Sequence, residues 1–501
     1  MSTKFSFGKL QLDVSLSPAA AAKRVDPEAP FCLGIVGDFS GRAGEPGREA
    51  IAQRRIRHLD SDNFEKELSQ LGAKLRLTFE QSPGIDLTLS GLEDFHPDRL
   101  LTQVPPLAKL CEQRRRLLDP ATAPAAVTEM QRLFTTPSQP AAETADTGSP
   151  SSESETDTLA RLLGGTPTKS APRAGSRGAV ESLLRSAVAP SVVPDATPHQ
   201  TALLSVIDLE LSKQLRAVVH HPRFQALEAA WRGLDLLVRN FGAEENLKLF
   251  ILDISKEELQ TDLQTQATLD ASGLWKALRR QSEDRPWALW VGLYAFENSV
   301  PDIETLARLA KLSAGVRAPL LTEASPHLVG CDSFALHPDP DDWNRALAPE
   351  VSEAWEALRE LPEAAYLGLA LPRFLFRQPY GKSSDPIDTF PFQELDPGAS
   401  HESFLWGNPA LACTYLLASA FQADGWDMQT SGYGELGDLP VYQFKENGET
   451  KVKPCAEAWL SDRADKRLLA NGLMPLLSIK GRDAVRLPAL QSLAGKALQI
   501  R

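Results

Sequence analysis

The sequence predicts an α/β fold with a small α/β domain, a long flexible linker and a larger α/β body built on a mixed sheet. Two observations carry this prediction. From residue 201 to the end, apolar strand-like runs alternate with amphipathic helical segments, the order typical of α/β domains. Between residues 136 and 200, Pro, Ser, Thr, Ala and Gly dominate, which is the composition of a flexible linker. We therefore expect domains at 1–135 and 201–501, joined by a linker at 136–200.

Composition bounds the classes of protein to consider. The chain has 501 residues, more than a single domain with one hydrophobic core usually contains. Its fractions of apolar and charged residues are those of a globular protein. Residues 201–501 carry 30 basic and 41 acidic groups, so a general nucleic-acid binder, which needs a basic face, is not expected. No apolar run is long enough for a membrane span, and the N-terminus lacks a signal-peptide pattern. Five scattered cysteines without a CxxC pair predict free thiols in a reducing cytoplasm.

The N-terminal region begins with alternating residues, and Leu10, Leu12, Val14 and Leu16 predict one strand with a bulge near Gly8. Such a strand needs a sheet to join, either in its own chain or in a neighbour by strand exchange. We then expect a buried strand over 31–36 and a helix from about Asp62, capped by one of residues 60–62. A hairpin through Ser82-Pro83-Gly84 comes next. Two helices split at Pro105-Pro106 close this region.

The linker contains two short apolar islands with helical spacing, at 157–163 and 179–188. Helices this short are marginal in water, so they are either docking peptides that order on a partner or stray apolar residues. The residues that would dock are Leu159, Leu162, Leu163, Leu183 and Leu184.

The densest amphipathic stretch, residues 207–238, predicts two helices joined at His220-His221-Pro222. Pro222 is suited to the first position of the second helix, because that position needs no amide donor. The spacing places Trp231 on the buried face of the second helix. The histidine pair is interpreted as a structural corner, since adjacent helical residues point apart and no ligand set surrounds them in the sequence.

A search for chemistry yields no candidate catalytic, cofactor-binding or metal-binding residue. Residues 432–437 match GxGxxG, but Asp438-Leu439-Pro440 and an apparent strand follow where a dinucleotide site needs a helix, so a surface loop is the better interpretation. The patterns GxxxxGK[ST], HExxH and GxSxG are absent from the sequence. An enzyme is therefore not expected.

Several motifs in order resemble the contractile sheath proteins of bacterial type VI secretion systems. The segments HHPRFQALEAAWRGLDLLV (220–238), LPRFLFRQPYG (371–381), FLWGNPALA (404–412), AFQADGW (420–426) and PCAEAWLSDRADKRLLANGLMPLLSIKG (454–481) resemble the large subunit. GDFSGR (37–42), the helix at 62–68 and the tract 92–117 resemble the small subunit. The motif positions singled out for structural roles are Asp38, Arg42, His221, Pro222, Trp231, Gly233, Trp406 and Asn408.

The resemblance implies a tail-sheath-like fold and a mechanical function without an active site. A sheath protomer assembles around an inner-tube protein on baseplate proteins, contracts to propel the tube, and is disassembled by a ClpV-like AAA+ ATPase. The expected partners are these proteins and other sheath subunits, in the cytoplasm, without nucleic acid or membrane insertion. One of the linker islands is the expected docking site for such an ATPase.

Two departures from the family pattern leave an alternative. The two subunits are separate chains in familiar systems, whereas here they are joined through residues 136–200. The family's large subunit also continues past the segment that ends here at 487–501, with an arm that interlaces neighbours. The leading hypothesis is a fused sheath protomer; the alternative is a non-polymerising sheath-derived adaptor, cap or regulator at the baseplate or sheath end.

Overall fold

The computed structural model describes residues 2–7, 10–15, 28–42, 49–79, 82–135, 196–266, 268–396, 399–428, 434–446 and 448–500. The linker islands at 157–163 and 179–188, with Leu159, Leu162, Leu163, Leu183 and Leu184, lie outside these ranges, and so does Leu16. The described residues form a mixed α/β structure, which confirms the predicted fold class. Within them, no helix has the length and apolar character that crossing a bilayer requires.

Eighteen β-strands are present among the described residues. They are β1 Ser2–Phe7, β2 Leu10–Ser15, β3 Phe31–Gly37, β4 Arg57–Leu59, β5 Ala73–Phe79, β6 Ser82–Leu89, β7 Leu247–Asp253, β8 Leu289–Phe296, β9 Leu320–Ala324, β10 Leu367–Leu371, β11 Phe374–Leu375, β12 Trp406–Gly407, β13 Glu435–Leu436, β14 Gln443–Glu446, β15 Glu449–Val452, β16 Leu473–Pro475, β17 Leu477–Ser478 and β18 Val485–Arg486.

Among the described residues there are twelve α-helices, five of which lie between β6 and β7. They are α1 Phe64–Leu71, α2 Pro97–Gln103, α3 Pro105–Leu118, α4 Ala123–Thr135, α5 Ala196–Val219, α6 Pro222–Phe241, α7 Lys256–Thr265, α8 Gly273–Asp284, α9 Val300–Val316, α10 Pro349–Glu360, α11 Pro409–Asp424 and α12 Asp462–Ala470. The predicted helix pair at 207–238 is confirmed as α5 and α6, and the split at Pro105-Pro106 as α2 and α3.

The chain divides into two compact units. The first contains residues 1–77, 85–100 and 216–501, and the second contains residues 78–84 and 101–215. In the second unit, Arg114 pairs with Asp208 at 2.6 Å and the side-chain amide of Gln200 donates to the carbonyl of Leu117. These contacts join α3 to α5 within that unit.

The first unit is organised around a seven-stranded sheet in the order β16-β10-β9-β8-β3-β7-β4. All neighbours are parallel except β4, which runs antiparallel to β7 at one edge. Strand β3 pairs along its whole length with β7 and also with β8, although more than 200 residues separate it from both. All seven residues of β3 are buried, as expected of a parallel strand covered on both faces.

Helices cover both faces of this sheet. Trp290 and Phe296 of β8 belong to a core with α7, α8, α9 and α10. Residues of the opposite parity, such as Leu293, face α6 and α11. The carboxyl ends of β3, β7, β8, β9 and β10 therefore lie along one edge of the sheet, where loops from distant parts of the chain meet.

Three predictions about the first 90 residues need correction. Strands β5 and β6 do pair, but Ser82, Pro83 and Gly84 are the first residues of β6 and not the turn. The N-terminal pattern forms an antiparallel pair, β1 with β2 (Phe7 opposite Leu10), rather than one bulged strand. Two residues separate these strands, a connection length that hairpins favour. Helix α1 begins after Asn63, not after residues 60–62, and Asp60 instead accepts from the amides of Asp62 and Asn63 in the preceding turn.

Candidate functional site

The GDFSGR segment, residues 37–42, follows β3 directly and is held by the end of the neighbouring strand β7. The carboxylate of Asp253, the last residue of β7, accepts hydrogen bonds from the amides of Phe39 (2.8 Å) and Ser40 (3.2 Å) and from the Ser40 hydroxyl (2.7 Å). Parallel pairing brings these groups together, because it aligns the carboxyl ends of β3 and β7. One side chain thus fixes the turn that leaves the sheet.

Two arginines complete a charged cluster around this turn. Arg42 pairs with Asp253 and, at 3.0 Å, with Glu258, while Arg54 donates to Glu258 at 2.9 Å. Burial alone would lower the pKa of Arg42, but the carboxylates of Asp253 and Glu258 raise it above its ordinary value. Glu258 is fixed by a capping box with Ser255 at the start of α7. The cluster therefore joins the segment after β3 to both β7 and α7.

Helix α6 holds the same segment from the other face of the sheet. The indole nitrogen of Trp231 donates to the carbonyl of Phe39 at 2.8 Å, and its ring lies edge-on to Phe95 with centroids 5.4 Å apart. Arg223 donates to the carbonyl of Gly41 at 3.0 Å. Gly41 has φ +71, a conformation that favours glycine. Trp231 is fully buried, as its spacing predicts.

A second buried cluster contacts α6 through Glu228. The guanidinium of Arg377 donates to Glu228 at 2.9 Å and to both oxygens of Glu394 at 2.7 and 3.0 Å, and Tyr380 donates its amide to Glu394. Burial would raise the pKa of Glu394, yet Arg377, His220 and the Tyr380 amide lower it to about 2. These charges compensate one another, as buried charges must. They attach the LPRFLFRQPYG segment to α6.

The remaining motif positions shape helix ends and a helix contact. His221 is the N-cap of α6, with Pro222 at its first position, and Asn408 caps α11 by accepting from the Ala410 amide at 3.0 Å. Gly233 lies against Leu411, and a Cβ there would approach its Cδ1 to 2.3 Å. Trp406 stacks on His401 with centroids 4.6 Å apart.

His401, Glu402 and Glu457 place three potential metal-ligand atoms within 4.8 Å of one another. The chain's own cations already contact these atoms. Arg373 donates to Glu402 at 2.9 and 3.0 Å and to Glu457 at 2.9 Å, and Lys453 lies 2.9 Å from His401 Nδ1. This arrangement is an ion-pair network rather than a ligand set.

The structure brings some predicted positions together and leaves others apart. Asp38, Arg42 and Trp231 meet at the GDFSGR segment, where Asp38 accepts from the Arg42 amide at 3.0 Å. Leu10, Leu12 and Val14 lie in β2, which pairs with β1.

The acidic residues of the two clusters, at the GDFSGR segment and around Arg377, were not predicted from the sequence. The pattern Ser255-x-x-Glu258 is a capping-box signature that could have marked Glu258. Asp253 and Glu394 carry no such local signal, because their partners are distant in the sequence. Glu228 has one local partner, Arg232 at i+4, but its contact with Arg377 spans 149 residues.

Two family models match the chain on either side of residues 137–200. The model described as "EvpB/VC_A0108, tail sheath N-terminal domain" (VipB) matches residues 201–494. The model described as "Type VI secretion system, VipA, VC_A0107 or Hcp2" matches residues 9–136.

This chain belongs to the VipB tail-sheath family. Among curated proteins, the type VI secretion system sheath protein TssC1 of Pseudomonas aeruginosa is 36% identical over 309 residues, 60% of this chain and 62% of that protein. The sheath protein TssB1 of the same organism is 30% identical over 115 residues, 22% of this chain and 65% of that protein. The chain thus spans slightly less than two thirds of the length of each relative.

The two family matches show which sheath subunit each side of the GDFSGR segment resembles. Strand β3 and the segment after it lie in the VipA-matched part, whereas β7, β8, Asp253, Glu258 and Trp231 lie in the VipB-matched part. The sheet and its charged edge therefore join two sheath-subunit-like parts within one chain. The site is an internal interface of a tail-sheath protein.

Proposed function

We propose that this chain is a structural protomer of a type VI secretion contractile sheath, assembling in the cytoplasm around an inner tube and contracting to propel it. One observation carries the proposal: a strand of the VipA-matched part is paired on both sides by strands of the VipB-matched part. A lattice that transmits force needs two subunits that move as one body. A shared sheet with charged side chains at its edge supplies that connection.

The proposed organisation is a VipA-like part at 1–135 and a VipB-like part at 201–501, tethered by residues 136–200. A tether fixes one-to-one stoichiometry and raises the effective concentration of the two parts. The proposed partners are other sheath subunits, the inner-tube protein, baseplate proteins and a ClpV-like AAA+ ATPase. The role is mechanical, since force comes from rearrangement of the lattice rather than from bond chemistry.

Electron microscopy of the purified full chain, alone and with its inner-tube protein, tests this function. We expect tubular lattices that enclose the tube. A chain that stays monomeric with the tube protein present would overturn the proposal and favour an adaptor, cap or regulator at a sheath end.

The segment 10–16, which includes β2, is the proposed strand-exchange element, through Leu10, Leu12, Val14 and Leu16. We expect the double variant Leu12→Glu/Val14→Glu to abolish tubes while the thermal unfolding midpoint of the monomer stays unchanged. The matched control places charge on the other strand face with Gln11→Glu and should leave the tubes intact. Loss of tubes in both variants would show that added charge alone is responsible.

The linker islands are the proposed docking peptides for the ATPase, through Leu159, Leu162, Leu163, Leu183 and Leu184. Deletion of 155–190 should abolish pull-down of a ClpV-like ATPase, while deletion of 137–152, which contains no large apolar residue, should not. Undiminished pull-down after the first deletion would rule this proposal out.

A further inference from the structure

A cavity of about 450 Å³ opens at the carboxyl edge of the large sheet, between α6 and the loop before α11. Its walls are largely apolar, with Leu293, Leu411, Ala229, Phe404 and Trp406 among the lining residues. This volume lies in the range of small-molecule sites, which combine apolar walls with few polar groups. The edge is also where parallel sheets commonly bind ligands.

Glu323 presents the carboxyl group that faces this cavity from the sheet. It is the penultimate residue of β9, and its partners on the flanking strands are Ala295 of β8 and Ala370 of β10. Because both partners are alanines, the two cross-strand positions beside Glu323 carry only a methyl group. Among the described residues, no hydrogen bond or ion pair reaches it.

The charged groups nearest to Glu323 are already matched to one another. Arg373 donates to Glu402 and to Glu457, and Lys453 lies against His401 and contributes a second positive charge. The positive charges of Arg373 and Lys453 thus balance the negative charges of Glu402 and Glu457.

Ionisation of Glu323 therefore adds an uncompensated negative charge. Burial, together with the carboxylates of Glu457, Glu297 and Glu402, raises the pKa of Glu323 to about 8, although Arg373 acts to lower it.

We propose that this cavity binds a small organic cation, a primary ammonium or guanidinium group on a short apolar stem, with Glu323 as its counter-ion. The ammonium would donate to the open carboxyl, while the stem would displace water from the apolar walls. This inference does not rest on the proposed sheath function and concerns a separate property of the chain.

Other ligand classes fit the cavity less well. An anion would meet two lining carboxyl groups, Glu323 and Glu402, and the lining guanidinium of Arg373 is already paired with Glu402 and Glu457. A hard divalent cation needs about six oxygen ligands, and the carboxylates of Glu402 and Glu457 are already bound by Arg373.

Binding by this route is coupled to proton release. Below pH 8 the Glu323 carboxyl is largely protonated, so the incoming ammonium takes the place of a proton that leaves to the solvent. The titratable groups facing this carboxyl are Arg373, Glu402, Glu457, Glu297 and, in the cavity wall, His220. We expect the affinity to rise about tenfold per pH unit below pH 8 and then to level off.

Calorimetric titration of the full chain with phenethylammonium tests the charge requirement, with phenethyl alcohol as the neutral isostere. The ammonium should bind at least tenfold more tightly at pH 8.5 than the alcohol. At pH 6.5, runs in two buffers of different ionisation enthalpy should show release of nearly one proton. Equal binding of both probes, no binding of the ammonium, or no proton release would overturn the proposal.

Variants locate the binding. Glu323→Gln keeps the shape and should weaken ammonium binding at least tenfold, and Ala229→Leu should weaken it by filling the cavity. Glu297→Gln removes a carboxylate at the same sheet edge but outside the cavity lining and should change the affinity less than threefold. Binding that survives Glu323→Gln would place the cation elsewhere and sink the proposal.

Discussion

At the scale of single residues, the internal interface depends on a few charged side chains that act on backbone. Asp253 is the clearest case, because one carboxylate receives two amides, a hydroxyl and the guanidinium of Arg42. Its side chain is 15% exposed, so the pair with Arg42 is largely shielded from solvent. Removing its charge leaves Arg42 poorly compensated in that setting.

We expect Asp253→Asn to destabilise the protein by about 2–3 kcal/mol, since the single carboxylate of Glu258 must then compensate both Arg42 and Arg54 in a largely buried setting. The measurement is the shift of the urea midpoint followed by tryptophan fluorescence. Asp235→Asn is the matched control, because its partner Arg239 is 74% exposed and such surface pairs contribute little. Equal shifts in both variants would show that the pair with Arg42 is not structural.

Glu323 makes stability depend on pH in the opposite sense to a salt-bridged acid. Its folded pKa of about 8 lies above the ordinary value of 4.5. The folded state therefore holds a proton that the unfolded state has lost, and this contribution declines as pH rises from about 4.5 to 8. One pKa unit corresponds to about 1.4 kcal/mol.

Glu323→Gln should remove this decline, because the amide does not ionise. The free energy of unfolding of the variant, relative to wild type, should increase by about 1–3 kcal/mol from pH 5 to pH 8.5. Urea unfolding of both proteins at each pH measures this difference. Parallel pH profiles for the two proteins would contradict a raised pKa at this position.

At the scale of elements, local patterns predicted which segments fold but not how they pair. The buried strand at 31–36 and the helices around residues 207–238 are confirmed, since apolar patterns report on local geometry. The position of β3 between β7 and β8 has no local signal, because it depends on packing between segments more than 200 residues apart. For the same reason Trp231 could be predicted as buried, whereas its bond to Phe39 could not.

The contact between α6 and α11 shows how an element's sequence is limited by its neighbour. Gly233 allows Leu411 to approach the α6 backbone, and Leu411 is almost fully buried. Gly233→Ala should improve helix propensity yet cost about 1 kcal/mol net, because an added methyl overpacks this contact. Thermal unfolding of the purified variant measures the balance.

Two further variants test whether overpacking causes the loss. Gly91→Ala adds a methyl where nothing lies within 4 Å and should change stability little. Adding Leu411→Val to Gly233→Ala should restore part of the loss, as expected for residues in contact. Stabilisation by Gly233→Ala alone would mean that helix propensity outweighs the contact.

At the scale of the whole molecule, the shared sheet rather than the tether should hold the two sheath-like parts together. The seven residues of β3 pair on both sides and are buried, and the cluster at Asp253 adds charged hydrogen bonds at their end. The tether contributes through effective concentration, which matters most when the parts are dilute. Cutting the chain within residues 136–200 therefore separates these two contributions.

We expect residues 1–135 and 201–501, coexpressed as two chains, to copurify and to elute together from gel filtration. Residues 201–501 alone should aggregate, because without β3 the edges of β7 and β8 lie open to other strands. Introducing Asp253→Asn into the larger fragment should weaken the complex at least tenfold, whereas Asp235→Asn should not. Fragments that fold and remain apart would show that the tether, and not the sheet, joins the two parts.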